Sequence, residues 1–113
     1  MAGADDLRHI ALSLPEAEER ETWGEATFRV RGRIFAMMSA HGEGATIKAS
    51  PPEQALLLAS DPGTFSYAAY VGRFGWVRVN LATIEEDLLR ALLADAWRSV
   101  APKRTVAKFD AGG

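Results

Sequence analysis

The chain contains no cysteine. This excludes a disulfide-stapled scaffold, zinc–thiolate and iron–sulfur centres and a cysteine nucleophile, and it fits a reducing compartment. Histidine is scarce: His9 falls in a helical segment and His41 in a glycine-flanked turn, without metal-site spacing or a base placed beside a nucleophile. No stretch approaches the roughly eighteen consecutive apolar residues of a membrane span, and no basic segment leads into an apolar core at the N-terminus. A cytoplasmic protein with no membrane partner is the expectation. Also missing are a G-x-S-x-G elbow, a Walker A run and a G-x-G-x-x-G turn after a strand. Nothing in the sequence favours catalysis, a cofactor or a metal, and the chain reads as non-enzymatic.

What is present is an ordinary globular composition. The 113 residues are 48% hydrophobic and 25% charged, enough for one core without staples. One domain over residues 1–113 is expected, with an ordered core over about residues 5–106 and a mobile C-terminal tail. A net charge of -2 argues against a surface built wholly for nucleic acid.

Leu7, Ile10, Ala11 and Leu14 recur at helical spacing, with Asp5 or Asp6 to cap and Pro15 to stop. The acidic run Glu16, Glu18, Glu19, Glu21 and Glu25, closed by Trp23-Gly24, reads as a loop. Its carboxylates would attract a hard cation, but the spacing is not that of an EF-hand, so it reads as a solvated surface run. From Thr27 the period becomes two: Phe28 and Val30 alternate with Arg29 and Arg31, and Gly32 permits a turn. Arg33 to Ala40 is the next strand, apolar on both faces over Ile34–Met38. A hairpin at His41-Gly42-Glu43-Gly44 leads to a strand over Thr46–Ala49.

Ser50-Pro51-Pro52-Glu53 starts a helix over 51–60, ended by Asp61-Pro62-Gly63. Two more strands are expected, one within Thr64–Tyr70 and one over Trp76–Leu81. A last helix is signalled by a Thr83/Glu86 capping box and the stripe Ile84, Leu88, Leu89, Leu92, Leu93, Ala96, Trp97 and Val100, and it ends at Pro102. The expected fold is α+β and two-layer: helix, three strands, helix, two strands, helix, with a mostly antiparallel five-stranded sheet.

Trp23-Gly24 leading into Phe28-Arg29-Val30-Arg31-Gly32, then Phe35-Ala36, Lys48, Trp76-Val77, and Trp97 through Ala101-Pro102-Lys103-Arg104 resemble the MmcQ/YjbR family of small bacterial proteins. The resemblance spans about residues 5–106 and rests on the order and spacing of these residues. It implies a fold similar to type III secretion chaperones, and it implies a DNA-binding protein with a double-wing arrangement.

Charge along the chain is uneven. Residues 1–25 hold seven acids and two bases, residues 26–80 six bases and three acids, and the remainder five of each. The expected sheet is therefore basic within an acidic protein. Alternation puts Arg29 with Arg31, and Trp76 with Arg78, on faces that Lys48, Tyr67 or Tyr70 would join. Guanidinium groups suit phosphates and aromatic rings suit bases, and Lys103 and Arg104 would extend the patch. The candidate binding residues are thus Arg29, Arg31, Lys48, Trp76, Arg78, Lys103 and Arg104. The plainer alternatives are a solvated sheet face carrying arginines, and cations favoured at a helix C-terminus by its dipole. Trp97 is expected in the core and Trp76 is the expected exposed aromatic. Trp23 is either free or a plug at one end of the core. DNA is the leading partner, and a protein partner or small anionic ligand is the alternative. A monomer is the expected state.

Overall fold

The computed structural model describes residues 2–39 and 43–112. The turn expected around His41-Gly42 lies outside the described residues. Helix α1 spans Ala4–Ser13. Its first turn is closed by the Gly3 N–H donating to the Asp6 carboxylate at 2.9 Å, and it buries Leu7, Ile10 and Ala11.

The acidic run is not a loop. Ala17–Thr22 forms strand β1, paired antiparallel with β2 (Glu25–Val30) through the two-residue turn Trp23-Gly24. Both turn residues have positive φ, 56° and 78°, which is the type I′ geometry that matches strand twist. β1 is an edge strand, and glutamates are tolerated there because charge blocks pairing with a foreign strand. Its carboxylates meet arginines: Glu19 is 2.9 Å from Arg8, Glu18 is 3.0 Å from Arg20, and Glu16, just before the strand, is 3.0 Å from Arg31. Among the described residues no three His, Asp or Glu side chains gather as a metal site.

A second type I′ turn, Arg31-Gly32 with φ of 51° and 83°, joins β2 to β3 (Arg33–Met38). A bulge interrupts their register, pairing Phe28 with Ala36 but Arg29 with Ile34. The extra residue is Phe35, so Phe35 and Ala36 are buried side by side. That is why Ile34–Met38 shows no clean alternation in the sequence. Strand β4 (Gly44–Ile47) follows, then α2 (Pro51–Ser60), capped by the Ser50 hydroxyl accepting from the Glu53 N–H. β5 (Phe65–Tyr67), a 3-10 turn at Gly72–Phe74 and β6 (Val77–Asn80) come next.

Among the described residues the sheet has six antiparallel strands in the order β1-β2-β3-β4-β6-β5, not five. Helix α3 (Glu86–Arg98) has Glu85 rather than Thr83 at its N-cap. The Thr83 hydroxyl is instead 2.8 Å from that of Thr64, tying the segment before the helix to β5. Where the sequence predicts that the last helix ends at Pro102 and that the chain is a mobile tail beyond about residue 106, Lys103–Asp110 forms a further helix, α4. Val106 and Phe109, three apart, pack on the core, and the Phe109 ring lies 4.8 Å from that of Trp97. No helix among the described residues is long and apolar enough to cross a membrane.

α1 packs on α3 and β1, α3 on β3 and β4, and α2 on β5. The core between helices and sheet holds Phe28, Phe35, Ile47, Val77 and Val79 from the strands and Leu7, Leu89, Leu93 and Trp97 from the helices, all fully buried. Among the described residues these helix contacts all belong to the core side, and the other sheet face carries the side chains out of phase with the core residues.

Candidate functional site

Register defines the open face. Arg20 pairs with Thr27, Thr27 with Met37, Met37 with Thr46, Thr46 with Arg78 and Arg78 with Ser66, so these six residues cross the sheet in one row. Glu25 and Arg29 flank Thr27 in the same phase of β2.

Two of the sequence-derived candidates belong to this face. Arg29 is half-buried and held by neutral acceptors: its Nε donates to Thr27 Oγ1 at 3.0 Å and its Nη2 to Thr22 Oγ1 at 2.9 Å. Thr27 in turn donates to the Arg20 carbonyl at 2.8 Å. Arg78 lies over Gly44, where a Cβ would come within 2.6 Å of its Nη2. Gly44 thus leaves the room that the guanidinium occupies. Among the described residues neither Arg29 nor Arg78 makes an ion pair, whereas Arg20, at the β1 end of the same face, is paired with Glu18. The open face therefore carries two uncompensated guanidinium charges away from its acidic edge. Three strand spacings separate β2 from β6, roughly 14 Å.

The other five candidates are not in this row or beside it on β2. Arg31 is the first residue of the β2–β3 turn, and its Nε donates to Glu16, so it does not share the face of Arg29. Lys48 lines a small cavity with Ser50, Glu53, Asp95 and Ser99, between the start of α2 and the end of α3. Trp76 is half-buried, and its carbonyl accepts from Gln54 Nε2 at 2.8 Å. Lys103 and Arg104 begin α4 instead of ending α3. The dipole argument for cations at a helix C-terminus therefore does not apply to them. They adjoin Thr105, whose hydroxyl donates to Glu16 at 2.8 Å. That bond, and next the one from Arg31, hold the Glu16 carboxyl below the usual carboxylate range.

Of the aromatics weighed in the sequence, Trp76, expected to be exposed, is half-buried, whereas Trp23 is free rather than a plug on the core. Trp23 is 98% exposed and Tyr70 94%. Each has a left-handed backbone, with φ of 56° and 62°, a conformation costly for a bulky residue and frequent at functional sites. Tyr67 is also exposed, at 59%, although it pairs with core-facing Val77, and its ring lies against Gly72, where a Cβ would meet it at 2.5 Å. A cavity of about 510 Å³ opens on the open face, lined by Glu25, Met37, Thr46, Tyr67, Ala69, Tyr70, Val71 and Arg78. Tyr70 stands on one side of it, and Glu25, two residues beyond Trp23, on the other. The sequence signal for this arrangement is slight: Gly24, a residue suited to the second position of a two-residue turn, just before the alternation that begins at Thr27.

Trp23 occupies a turn position that suits asparagine far better. Trp23→Asn should therefore raise the unfolding free energy by about 1 kcal/mol, the scale of left-handed strain in an ordinary residue. Urea titration checks this, and unchanged or lowered stability would contradict it.

A model of the YjbR family matches residues 12–99. Among solved structures, protein DR2400 of Deinococcus radiodurans, which carries a DUF419 domain, superposes with a TM-score of 0.82 at 22% identity, covering 97% of this chain and 89% of that one. No curated protein matches. The likeness to DR2400 is one of fold, and the family match runs from the end of α1 through the last residues of the long helix α3. On that match the chain belongs to the YjbR family.

Proposed function

We propose that the protein binds nucleic acid, DNA in the first instance, across the open face of its sheet, with Arg29 and Arg78 contacting phosphates. One observation carries this reading: these two arginines stand on the open face without a carboxylate partner, while Arg8, Arg20 and Arg31, beside the acidic edge, are neutralised by its glutamates. An unpaired guanidinium attracts phosphate by charge and by its forked donors. The DNA-binding character implied by the family resemblance points the same way. The acidic edge at β1 would repel a phosphate backbone and confine it to the remainder of the face. Arg31, Lys48, Lys103 and Arg104 do not take part.

Fluorescence anisotropy of labelled DNA at several salt concentrations tests the assignment. Affinity should fall steeply with salt. In an Arg29→Ala/Arg78→Ala double variant the log–log slope should be shallower by about 0.7 to 0.9 for each phosphate no longer neutralised. An Arg31→Ala/Lys103→Ala variant should leave the slope unchanged. A salt-insensitive wild type, or equal effects of the two double variants, would remove the open face as the binding surface.

A further inference from the structure

The cavity on the open face differs from a plain phosphate track in being bordered by two exposed tyrosines, Tyr67 and Tyr70, a guanidinium without an ion pair and a carboxylate at once. Tyr70 is 94% exposed and keeps a left-handed backbone on its rim. A fully exposed aromatic ring on a strained backbone is unfavourable in the free protein, and a ligand that stacks on the ring would relieve its exposure. Met37 and Thr46 contribute to the lining in the middle of the sheet, Arg78 lies on the β6 side, and Glu25 lies at the opposite margin. Trp23, the other fully exposed and left-handed aromatic, projects from the turn next to Glu25.

We infer that this cavity holds one unpaired nucleotide, its base stacked on Tyr70 and its phosphate on Arg78, so that the open face takes single-stranded rather than duplex nucleic acid. The inference rests on the nucleic-acid reading above and sharpens it. A flat aromatic ligand uses the face of Tyr70, an anionic group satisfies Arg78, and Glu25 can accept from a ring N–H or amino group of the base while turning a second phosphate away. In duplex DNA the base faces are stacked on one another and the pairing edges are occupied, so neither Tyr70 nor Glu25 is served. A neighbouring base in the same strand would find Trp23 as a second stacking surface.

The test compares a short mixed-sequence single strand containing 2-aminopurine with the same strand annealed to its complement, at one low salt concentration. The proteins are the wild type, Tyr70→Ala, Tyr70→Phe and Arg78→Gln, with thermal melts confirming that each variant folds. The single strand should bind at least tenfold tighter than the duplex, with a change in 2-aminopurine emission. Tyr70→Ala should weaken single-strand binding about tenfold while Tyr70→Phe preserves it. Equal affinity for both forms, or an unaffected Tyr70→Ala variant, overturns the base-in-cavity assignment while leaving the phosphate-binding face intact. If the wild type binds neither form, the nucleic-acid reading fails. NMR titration with free nucleoside 5′-monophosphates then decides the cavity: binding abolished in Tyr70→Ala and Arg78→Gln supports a free nucleotide as its occupant, and no binding overturns the inference.

Discussion

Gly75→Ala is expected to lower the unfolding free energy by about 3 kcal/mol, a large part of the roughly 5–15 kcal/mol that holds a small domain together. Gly75 has φ of 102°, which costs an L side chain about 1–2 kcal/mol. Space is the greater difficulty, because a Cβ here would lie 2.6 Å from the Ser50 carbonyl carbon and 2.7 Å from the Pro51 nitrogen. Both are backbone atoms at the start of α2, so no rotamer change relieves the clash, and overpacking of this kind adds about 1–3 kcal/mol. Gly24→Ala is the matched control: its φ is also positive, but nothing lies within 4 Å of where its Cβ would stand, so only the conformational cost applies. Urea denaturation of both variants gives the comparison, and equal losses would show that the close approach of the Gly75 segment to α2 contributes nothing.

Trp97→Ala should be at least as damaging, with a loss of about 3–5 kcal/mol, the usual range for emptying a buried aromatic site. Trp97 is fully buried. Its indole N–H donates to the Pro15 carbonyl at 2.9 Å, joining α3 to the segment between α1 and β1. Its ring also packs against Phe109 at 4.8 Å, which gives α4 its main apolar anchor. Trp97→Phe should fall between, because it keeps most of the packing but leaves the part-buried Pro15 carbonyl without its donor, a cost of about 1 kcal/mol. Hydrogen exchange separates the two roles. The amides of α4 should lose protection in Trp97→Ala and retain more of it in Trp97→Phe, and if α4 is equally protected in both, its docking does not depend on this ring. A second tie, Arg98 to Asp110 at 2.7 Å, is surface-exposed and contributes little by comparison.

These stability changes lie apart from the binding face. Trp23 and Tyr70 present the opposite case, in which strain and exposure are retained where they do not help folding. A protein optimised only for stability would place asparagine or glycine at both positions. The expected gain in stability of Trp23→Asn and the expected loss of binding in Tyr70→Ala are two sides of the same trade.

Local chemistry alone makes several elements legible. The Ser50-Pro51 start of α2 coincides with the observed Pro51–Ser60 helix, because a hydroxyl cap and a proline act within one turn. The stripe from Leu89 to Trp97 marks α3, because helical periodicity records which face is buried. β1 escaped because glutamate-rich segments have poor strand propensity. Only its pairing with β2 and its arginine partners make the extended form favourable. α4 escaped because its signal is short: Val106 and Phe109 acquire meaning only when Trp97 is in place beside them. The bulge at Phe35 hid the phase of β3, and with it the alignment of Met37 with Thr27 and Thr46.

The binding surface divides in the same way. Residue identity and alternation are properties of the sequence, and they determined that the protein would have a two-layer α+β fold, with Arg29 and Arg78 outside the core phase. Which of the candidate arginines are neutralised was decided only by tertiary structure, because neutralisation depends on distances between segments remote in the chain. Glu16 meets Arg31 and Thr105 across such separations, and so withdraws Arg31 from the face that alternation had assigned it. The same holds for the exposed rings, since exposure depends on what the rest of the chain covers. Tertiary packing half-buries Trp76 and leaves Trp23 and Tyr70 in solvent.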